Sequence, residues 1–206
     1  MAKIRARSLR HSSPEPVVTP SRPFAVAVFC GSSTGHDPAY AAAARAVGEG
    51  IARRGWTLVY GGGQVGLMGL MADAALSTGG TVLGVIPRFL CTREVAHAGL
   101  TRLEVVETLA ERKQRMGELA DAYLSLPGGI GTLDELFEGL SWSQVGLQRK
   151  PNALLNVAGF YDALVAHLDR AAHEGYIRAP HRALLRVGLE AAVVLDELHE
   201  LAARPA

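Results

Sequence analysis

The chain has 206 residues, of which 49% are hydrophobic and 20% are charged, and its formal net charge is +1. This composition is typical of one globular domain, and no apolar run approaches the roughly 20 residues of a membrane-spanning helix. Residues 1–22 carry a local charge of +4, which leaves −3 on the rest, so composition gives no electrostatic argument for nucleic-acid binding.

The first 22 residues differ in pattern from the rest of the chain. They mix Arg, Ser, His and Pro without apolar periodicity, so we expect a disordered basic tail at 1–22 and a single domain at 23–206. The tail contains no apolar stretch of the roughly 7–15 residues that a secretory signal requires. A cytoplasmic location is therefore expected.

From residue 24 onwards, apolar runs alternate with helix-forming segments. Strands are predicted at 24–30, 56–60, 81–86, 103–106, 122–126, 153–157 and 184–187. Helices are predicted at 38–54, 66–77, 109–119, 132–145, 160–173 and 190–203. This alternation predicts an α/β fold, a Rossmann-like doubly wound parallel sheet with helices on both faces.

Three glycine-bearing turns follow predicted strands, at residues 31–35, 61–66 and 127–132. In open parallel sheets, ligands bind beyond the carboxyl ends of the strands, where these turns are expected. The first turn lacks the G-x-G-x-x-G pattern, which argues against dinucleotide binding. Cys30, Met68 and Met71 flank the first two turns, and we interpret them as packing residues rather than ligand contacts.

The turn at 127–132, with the sequence Pro-Gly-Gly-Ile-Gly-Thr, ends a predicted strand and opens a helix. Its glycines permit close backbone approach, and the first N–H groups of a helix attract a phosphate. Glu135 comes three residues after Thr132. It either faces the same cleft or forms a capping box with Thr132 as the N-cap, and the spacing leaves both interpretations open.

Two adjacent cations, Arg112 and Lys113, lie in the run Glu-Arg-Lys-Gln-Arg at 111–115. A solvated basic face is the ordinary interpretation of such a run. Its position just upstream of a phosphate-type turn instead favours a grip on phosphate or hydroxyl groups.

Lysine, cysteine and histidine usage disfavours several chemistries. The only lysines are Lys3, Lys113 and Lys150, and their contexts disfavour the Schiff base of a pyridoxal phosphate enzyme. The two Cys and seven His show no metal-ligand spacing, so neither a disulfide framework nor a metal site is predicted.

Taken together, the motifs resemble the Lonely Guy (LOG) family of cytokinin riboside 5′-monophosphate phosphoribohydrolases. The resemblance rests on G-G-G-x-x-G-L-M-G at 61–69, E-R-K at 111–113 and P-G-G-x-G-T-x-x-E at 127–135, and it covers about residues 24–200. It implies that water cleaves the N-glycosidic bond of an N6-substituted adenosine 5′-monophosphate. The products would be the free base and ribose 5-phosphate.

The same resemblance implies roles for individual residues. Arg112 and Glu135 would be catalytic, with Glu135 holding ribose hydroxyls and helping to activate water. The substrate-binding residues that it implies are Glu94, Lys113, Gly128, Gly129, Ile130, Gly131, Thr132 and Ser141. It also implies no cofactor, no metal, and a homodimer with helices 109–119 and 132–145 near the partner.

Two other functions stay open at this point. One is a hydrolase for AMP or another nucleoside 5′-monophosphate, and the other is a non-catalytic nucleotide- or cofactor-binding carrier or sensor. The presence of both Arg112 and Glu135 disfavours the carrier, because a binding protein has less need of a carboxylate beside the sugar.

Overall fold

A parallel sheet organises residues 22–91 and 96–204, which are the residues that the computed structural model describes. The strands in this part of the chain lie in the order β4-β3-β2-β1-β5-β6-β7, and all neighbours are parallel. They are β1 (Ala25–Phe29), β2 (Thr57–Tyr60), β3 (Thr81–Pro87), β4 (Arg102–Val106), β5 (Ala122–Ser125), β6 (Asn152–Leu155) and β7 (Leu185–Gly188).

A helix follows every strand except β3, after which the described residues contain only a 3-10 turn, and a short helix is inserted before β7. The helices are α1 (Pro38–Arg53), α2 (Gly66–Ser77), α3 (Leu109–Leu119), α4 (Ile130–Gln144), α5 (Asp162–His173), α6 (Ala179–Arg182) and α7 (Ala191–Ala202). Except for α6, which was not predicted, each was expected from the sequence to within two residues at either end. Residues 88–90 and 157–159 form additional 3-10 turns.

The central strand β1 shows that both faces of the sheet are covered. Val26 and Val28 pack in a core cluster with side chains of α1, α2 and α7. Ala27 and Phe29 point to the opposite face, where they pack with Met116 of α3. Alternate residues of a strand face opposite sides, so a strand buried on both sides is apolar throughout. The doubly wound parallel sheet predicted from the apolar runs is confirmed.

The strand order positions the candidate site. Strands β1 to β4 follow one another outward from β1, and the chain then returns to place β5 on the other side of β1. Such a reversal opens a crevice at the carboxyl ends of the two central strands. The turns at 31–35 and 127–132 border this crevice.

The predicted tail lies almost wholly outside the described residues, which begin at Arg22. Although Arg22 was assigned to the tail, its guanidinium makes two hydrogen bonds with Asp121, just before β5. No helix in the described part of the chain is long and apolar enough to cross a bilayer.

Candidate active site

The three glycine turns meet beyond the carboxyl ends of β2, β1 and β5. The amide of Gly31 donates to the carbonyl of Pro127 at 3.0 Å, and the amide of Leu67 donates to the carbonyl of Gly31 at 3.0 Å. Gly66 has a φ of +62°, and a Cβ on it would lie 2.2 Å from the carbonyl carbon of Ser32. The β1 turn therefore bridges the other two turns and lies directly on the start of α2.

The 127–132 turn opens α4 two residues earlier than the sequence predicted. Gly129 is the residue before the helix, so Thr132 is its third residue and Glu135 lies in its second turn. The capping-box interpretation is therefore wrong, because Thr132 is not the N-cap and Glu135 is not the third residue of the helix. The amides at the start of α4 have no intrahelical carbonyl to bind, and with the helix dipole they form a site for an anion.

The glycines of this turn meet two kinds of environment. A Cβ on Gly128 would lie 2.1 Å from Oγ1 of Thr132, which is only 4% exposed. Only glycine therefore lets Thr132 fold back onto the turn. A Cβ on Gly129 or Gly131 would meet no protein atom within 4 Å, and both residues line a cavity. Packing within the protein therefore does not require glycine at these two positions. The open space beside them is part of the cavity.

Arg112 of α3 and Glu135 of α4 form a buried pair beside this turn. Nη2 of Arg112 lies 3.4 Å from Oε1 of Glu135, and the side chains are 13% and 10% exposed. Nε of Arg112 is buried without a hydrogen-bond partner among the described residues. Burying a donor without a partner destabilises the folded protein, and a hydrogen bond to a ligand oxygen would offset that cost.

The glycine turn after β2 makes room for this guanidinium. A Cβ on Gly61 would lie 2.0 Å from Nη2 of Arg112. Any residue with a Cβ at this position would force the guanidinium to shift. The glycine motif after β2 therefore determines where the Arg112 side chain can lie, whether or not the motif also contacts a ligand.

Burial dominates the ionisation of Glu135. Removal from water raises its pKa from 4.5 to about 7, against the opposing influence of Arg112. Lys113 also lowers the pKa, whereas Asp134 and Glu138 raise it. A carboxyl group with a pKa near neutrality can both accept and release a proton at physiological pH.

These groups surround a cavity of about 200 Å³. Its lining residues are Cys30, Gly31, Ser32, Met68, Arg112, Gly129, Ile130, Gly131, Thr132 and Glu135. Cys30 and Met68 are buried packing residues, as interpreted from the sequence, yet they also form part of the wall. The Gly-Ser-Ser turn after β1 was the sequence signal that could have identified Ser32.

A second cavity, of about 320 Å³, adjoins the first and shares Gly31, Ser32 and Gly129 with it. Tyr40 and Phe160 contribute aromatic walls, with ring centroids 5.6 Å apart. The crevice is therefore wider than the cavity that contains Arg112 and Glu135.

Three predicted substrate-binding residues are not brought to the Arg112–Glu135 cavity by the described structure. Nζ of Lys113 instead lies 2.9 Å from Asp134 and 3.1 Å from Glu138. Ser141 is exposed on α4 and lines a separate depression with Leu168. Gly128 lies behind Thr132 and lines the second cavity.

Glu94 lies outside the described residues, so its predicted role stays a prediction.

Known proteins similar to this chain agree with the motif pattern. A family model described as "Possible lysine decarboxylase" matches residues 68–198. A cytokinin riboside 5′-monophosphate phosphoribohydrolase of Rhodococcoides fascians is 50% identical over 156 residues, which are 75% of this chain and 79% of that protein. An enzyme of the same name from Arabidopsis thaliana is 43% identical over 182 residues, which are 88% and 85% of the two chains. This chain belongs to the Lonely Guy (LOG) family.

Solved structures share the fold of this LOG family member. A molybdenum cofactor binding protein from Rippkaea orientalis superposes with a TM-score of 0.66 at 19% identity, covering 87% of this chain and 98% of that one. The molybdenum cofactor carrier protein of Chlamydomonas reinhardtii gives a TM-score of 0.66 at 18% identity, covering 89% and 100%. At such low identity the likeness shows the fold alone.

The decarboxylase wording of the family model gains no support from the described lysines. Burial lowers the pKa of Lys113, but hydrogen bonds to Asp134 and Glu138 outweigh it and raise the pKa above its usual value. A Schiff-base lysine must lose its proton, so these bonds hold Lys113 in the wrong state. Burial lowers the pKa of Lys150, but this residue precedes β6, at the amino ends of the strands and away from the crevice, and it donates to the carbonyl of Gly117.

Metal ligands are also not grouped in the described part of the chain. Within residues 22–91 and 96–204, no three His, Cys, Asp or Glu side chains are placed to hold a metal ion.

Proposed function

We propose that this chain is a cytoplasmic phosphoribohydrolase for N6-substituted adenosine 5′-monophosphates, the cytokinin riboside monophosphates. It releases the free base and ribose 5-phosphate. Relatives that are 43–50% identical to this chain over most of its length are named for this activity. Cell fractionation tests the location.

One observation carries the proposal: a buried carboxyl–guanidinium pair opens on the same cavity as the amides that begin α4. A phosphate at those amides places the attached ribose within reach of the pair. The Arg112–Glu135 cavity alone is smaller than the ~300 Å³ of ordinary small-molecule sites, and the adjoining cavity widens the crevice enough for a nucleotide.

The residues present suit hydrolysis at the anomeric carbon. The amides of residues 130–132 and the Thr132 hydroxyl bind the phosphate. Breaking the C1′–N bond builds positive charge on the ribose, which ionised Glu135 stabilises. Glu135 accepts a proton from the attacking water while the oxygen of the water bonds to C1′. The departing base then takes up that proton.

Arg112 acts as a fixed positive charge in this scheme. Its guanidinium stays protonated, so it cannot donate a proton to the base. It keeps part of Glu135 ionised despite burial. Its unpartnered Nε is free to bond a phosphate or hydroxyl oxygen of the substrate.

A base-release assay tests this function. The purified protein, without added cofactor, is expected to convert isopentenyladenosine 5′-monophosphate to free base and ribose 5-phosphate, measured by liquid chromatography. The unphosphorylated riboside is the matched control, and it should react far more slowly because the α4 amides gain no phosphate. Equal turnover of plain AMP would indicate a general nucleosidase. Binding of AMP without turnover of any nucleotide would indicate a carrier.

We further infer a homodimer that packs through α3 and α4. Ile130 is 83% exposed, and Phe137, which lies seven residues later on the same face of α4, is also exposed. Leu109 is exposed at the start of α3. In analytical ultracentrifugation, Phe137→Glu is expected to give monomers, whereas Val193→Glu, at an exposed apolar site on α7, should leave the dimer intact. A monomeric wild-type protein would contradict the inference.

A further inference from the structure

The segment at 96–99 runs back along the glycine turn that follows β2. Ala96 forms an antiparallel bridge with Gly63, and the amide of His97 donates to the carbonyl of Gly62 at 3.1 Å. These contacts bind the segment to the turn that makes room for Arg112.

The His97 side chain holds this segment from within. Its ring is 6% exposed, and Nε2 lies 2.8 Å from Oδ1 of Asp73 on α2. Nδ1 accepts a hydrogen bond from the amide of Gly99 at 3.1 Å. Because Nδ1 accepts a hydrogen bond, the N–H of the ring is at Nε2, and this group donates to Oδ1 of Asp73. Both ring nitrogens are therefore used, one toward α2 and one within the segment.

The turn held in this way is the surface on which the Arg112 guanidinium lies. Contact is so close at Gly61 that no Cβ fits there, and Gly62 adopts a φ of +77° that L-residues rarely take. The bond from Arg112 to Glu135 is long, at 3.4 Å. A weakly held guanidinium depends for its position on the surface beneath it.

We propose that His97 is a positioning residue that, bound to Asp73, holds the 61–63 turn against Arg112 and so sets the geometry of the Arg112–Glu135 pair. The inference rests on the proposed function for its kinetic readout. Its structural readout does not depend on turnover.

The direct test follows the ionisation of Glu135 in the ligand-free protein. In protein with ¹³C-labelled glutamate carboxyls, the Glu135 signal is identified by its loss in Glu135→Gln and is titrated by NMR. Arg112 opposes the effect of burial, so a displaced guanidinium lets the pKa of Glu135 rise above about 7. His97→Ala and Asp73→Ala are both expected to produce this rise. Asp73 is a safe site for truncation, since its side chain is 58% exposed.

Conservative variants separate the two bonds of the ring. Glutamine at position 97 reaches toward Asp73 as Nε2 does, whereas asparagine retains only the bond near Gly99. We expect His97→Gln to behave almost as the wild type, and His97→Asn to behave as His97→Ala. Rescue by asparagine and not by glutamine would overturn the role of Asp73.

Thr101→Val is the matched control, because Thr101 lies two residues beyond the 96–99 segment and its Oγ1 accepts a hydrogen bond from the amide of Val82 in β3. It should lower the melting temperature without moving the Glu135 titration. With an active enzyme, His97→Ala is expected to lower kcat about 10- to 100-fold with little change in KM, as slight misplacement of a catalytic group does. If His97→Ala lowers only the melting temperature, as the control does, the proposal is wrong. If no variant, including the wild type, releases base, the proposed function fails while the titration still decides the role of His97.

Discussion

Three cationic side chains lie close together in the sequence of α3, at positions 112, 113 and 115, and they differ in how completely carboxylates of the protein pair with them. Lys113 bonds two carboxylates of α4, and Arg115 bonds Glu104 at 2.7 Å and Glu118 at 2.8 Å. Arg112 has one carboxylate partner at 3.4 Å, and its Nε has none among the described residues.

The difference separates two uses of the same kind of side chain. A cation whose hydrogen bonds are satisfied by the protein holds helices in place, and a ligand gains little from it. A buried cation with an unused donor pays for its desolvation until a ligand arrives, so it is the better candidate for binding and catalysis. One basic run therefore contains two fully paired cations beside one, Arg112, that we propose for binding and catalysis.

The largest expected effect comes from removing the carboxylate of Glu135, the single partner of Arg112 among the described residues. Glu135→Gln keeps the size of the side chain but can neither stabilise positive charge nor accept a proton. We expect base release to fall by about 1,000-fold or more, consistent with the loss of combined electrostatic and proton-transfer catalysis. Steady-state assays with the proposed substrate measure this. Activity near that of the wild type would remove Glu135 from the chemistry.

The same variant has a distinct signature in stability. The pKa of Glu135 in the folded protein, about 7, lies above the ordinary value of 4.5, so its contribution to stability is fully present below about 4.5. That contribution is lost as the pH rises through about 7, because the buried group must then ionise. Urea unfolding should therefore show the wild type losing stability relative to Glu135→Gln across this interval. Parallel stability curves would show that burial does not raise the pKa.

The next largest effect compares the two adjacent cations directly. Arg112→Met should lower kcat/KM about 100-fold and move the Glu135 limb of the pH–rate profile to higher pH, because Arg112 lowers the pKa of that carboxyl. Lys113→Met, the matched variant, should change activity only a few-fold and lower stability by about 1–2 kcal/mol, because a mostly buried ammonium loses two ion pairs. Kinetics and thermal unfolding of both variants test this. An equal loss of activity in the two would assign Lys113 to the substrate as well.

A smaller effect is expected at Gly131, where the room around the backbone belongs to the cavity. Gly131→Ala meets no protein atom within 4 Å, so the fold tolerates it, and alanine favours the helix by up to about 1 kcal/mol. The new methyl group should crowd the phosphate and raise KM roughly 10-fold. A variant that is more stable and binds substrate more weakly is the expected result. Unchanged KM would place the phosphate elsewhere.

Much of the architecture was readable from local patterns. The apolar run at 24–30 predicted a strand buried on both faces, and the 127–132 turn was correctly placed between a strand and a helix. These features depend on residues close together in sequence, so periodicity and glycine placement suffice. The start of α4 was predicted two residues late, because Thr132 has a side chain that can cap a helix, whereas the actual N-cap residue, Gly129, has none.

Patterns along the chain thus predicted a doubly wound sheet, a phosphate-type turn and a short list of charged candidates. Tertiary structure decided which candidates meet: Arg112 turns toward Glu135, while Lys113 turns toward Asp134 and Glu138. It also brought Cys30 and Met68 to the cavity wall. The reason is physical: these groups come from separate elements, and their distances follow from how α3 and α4 pack on the sheet, which no spacing along the chain encodes.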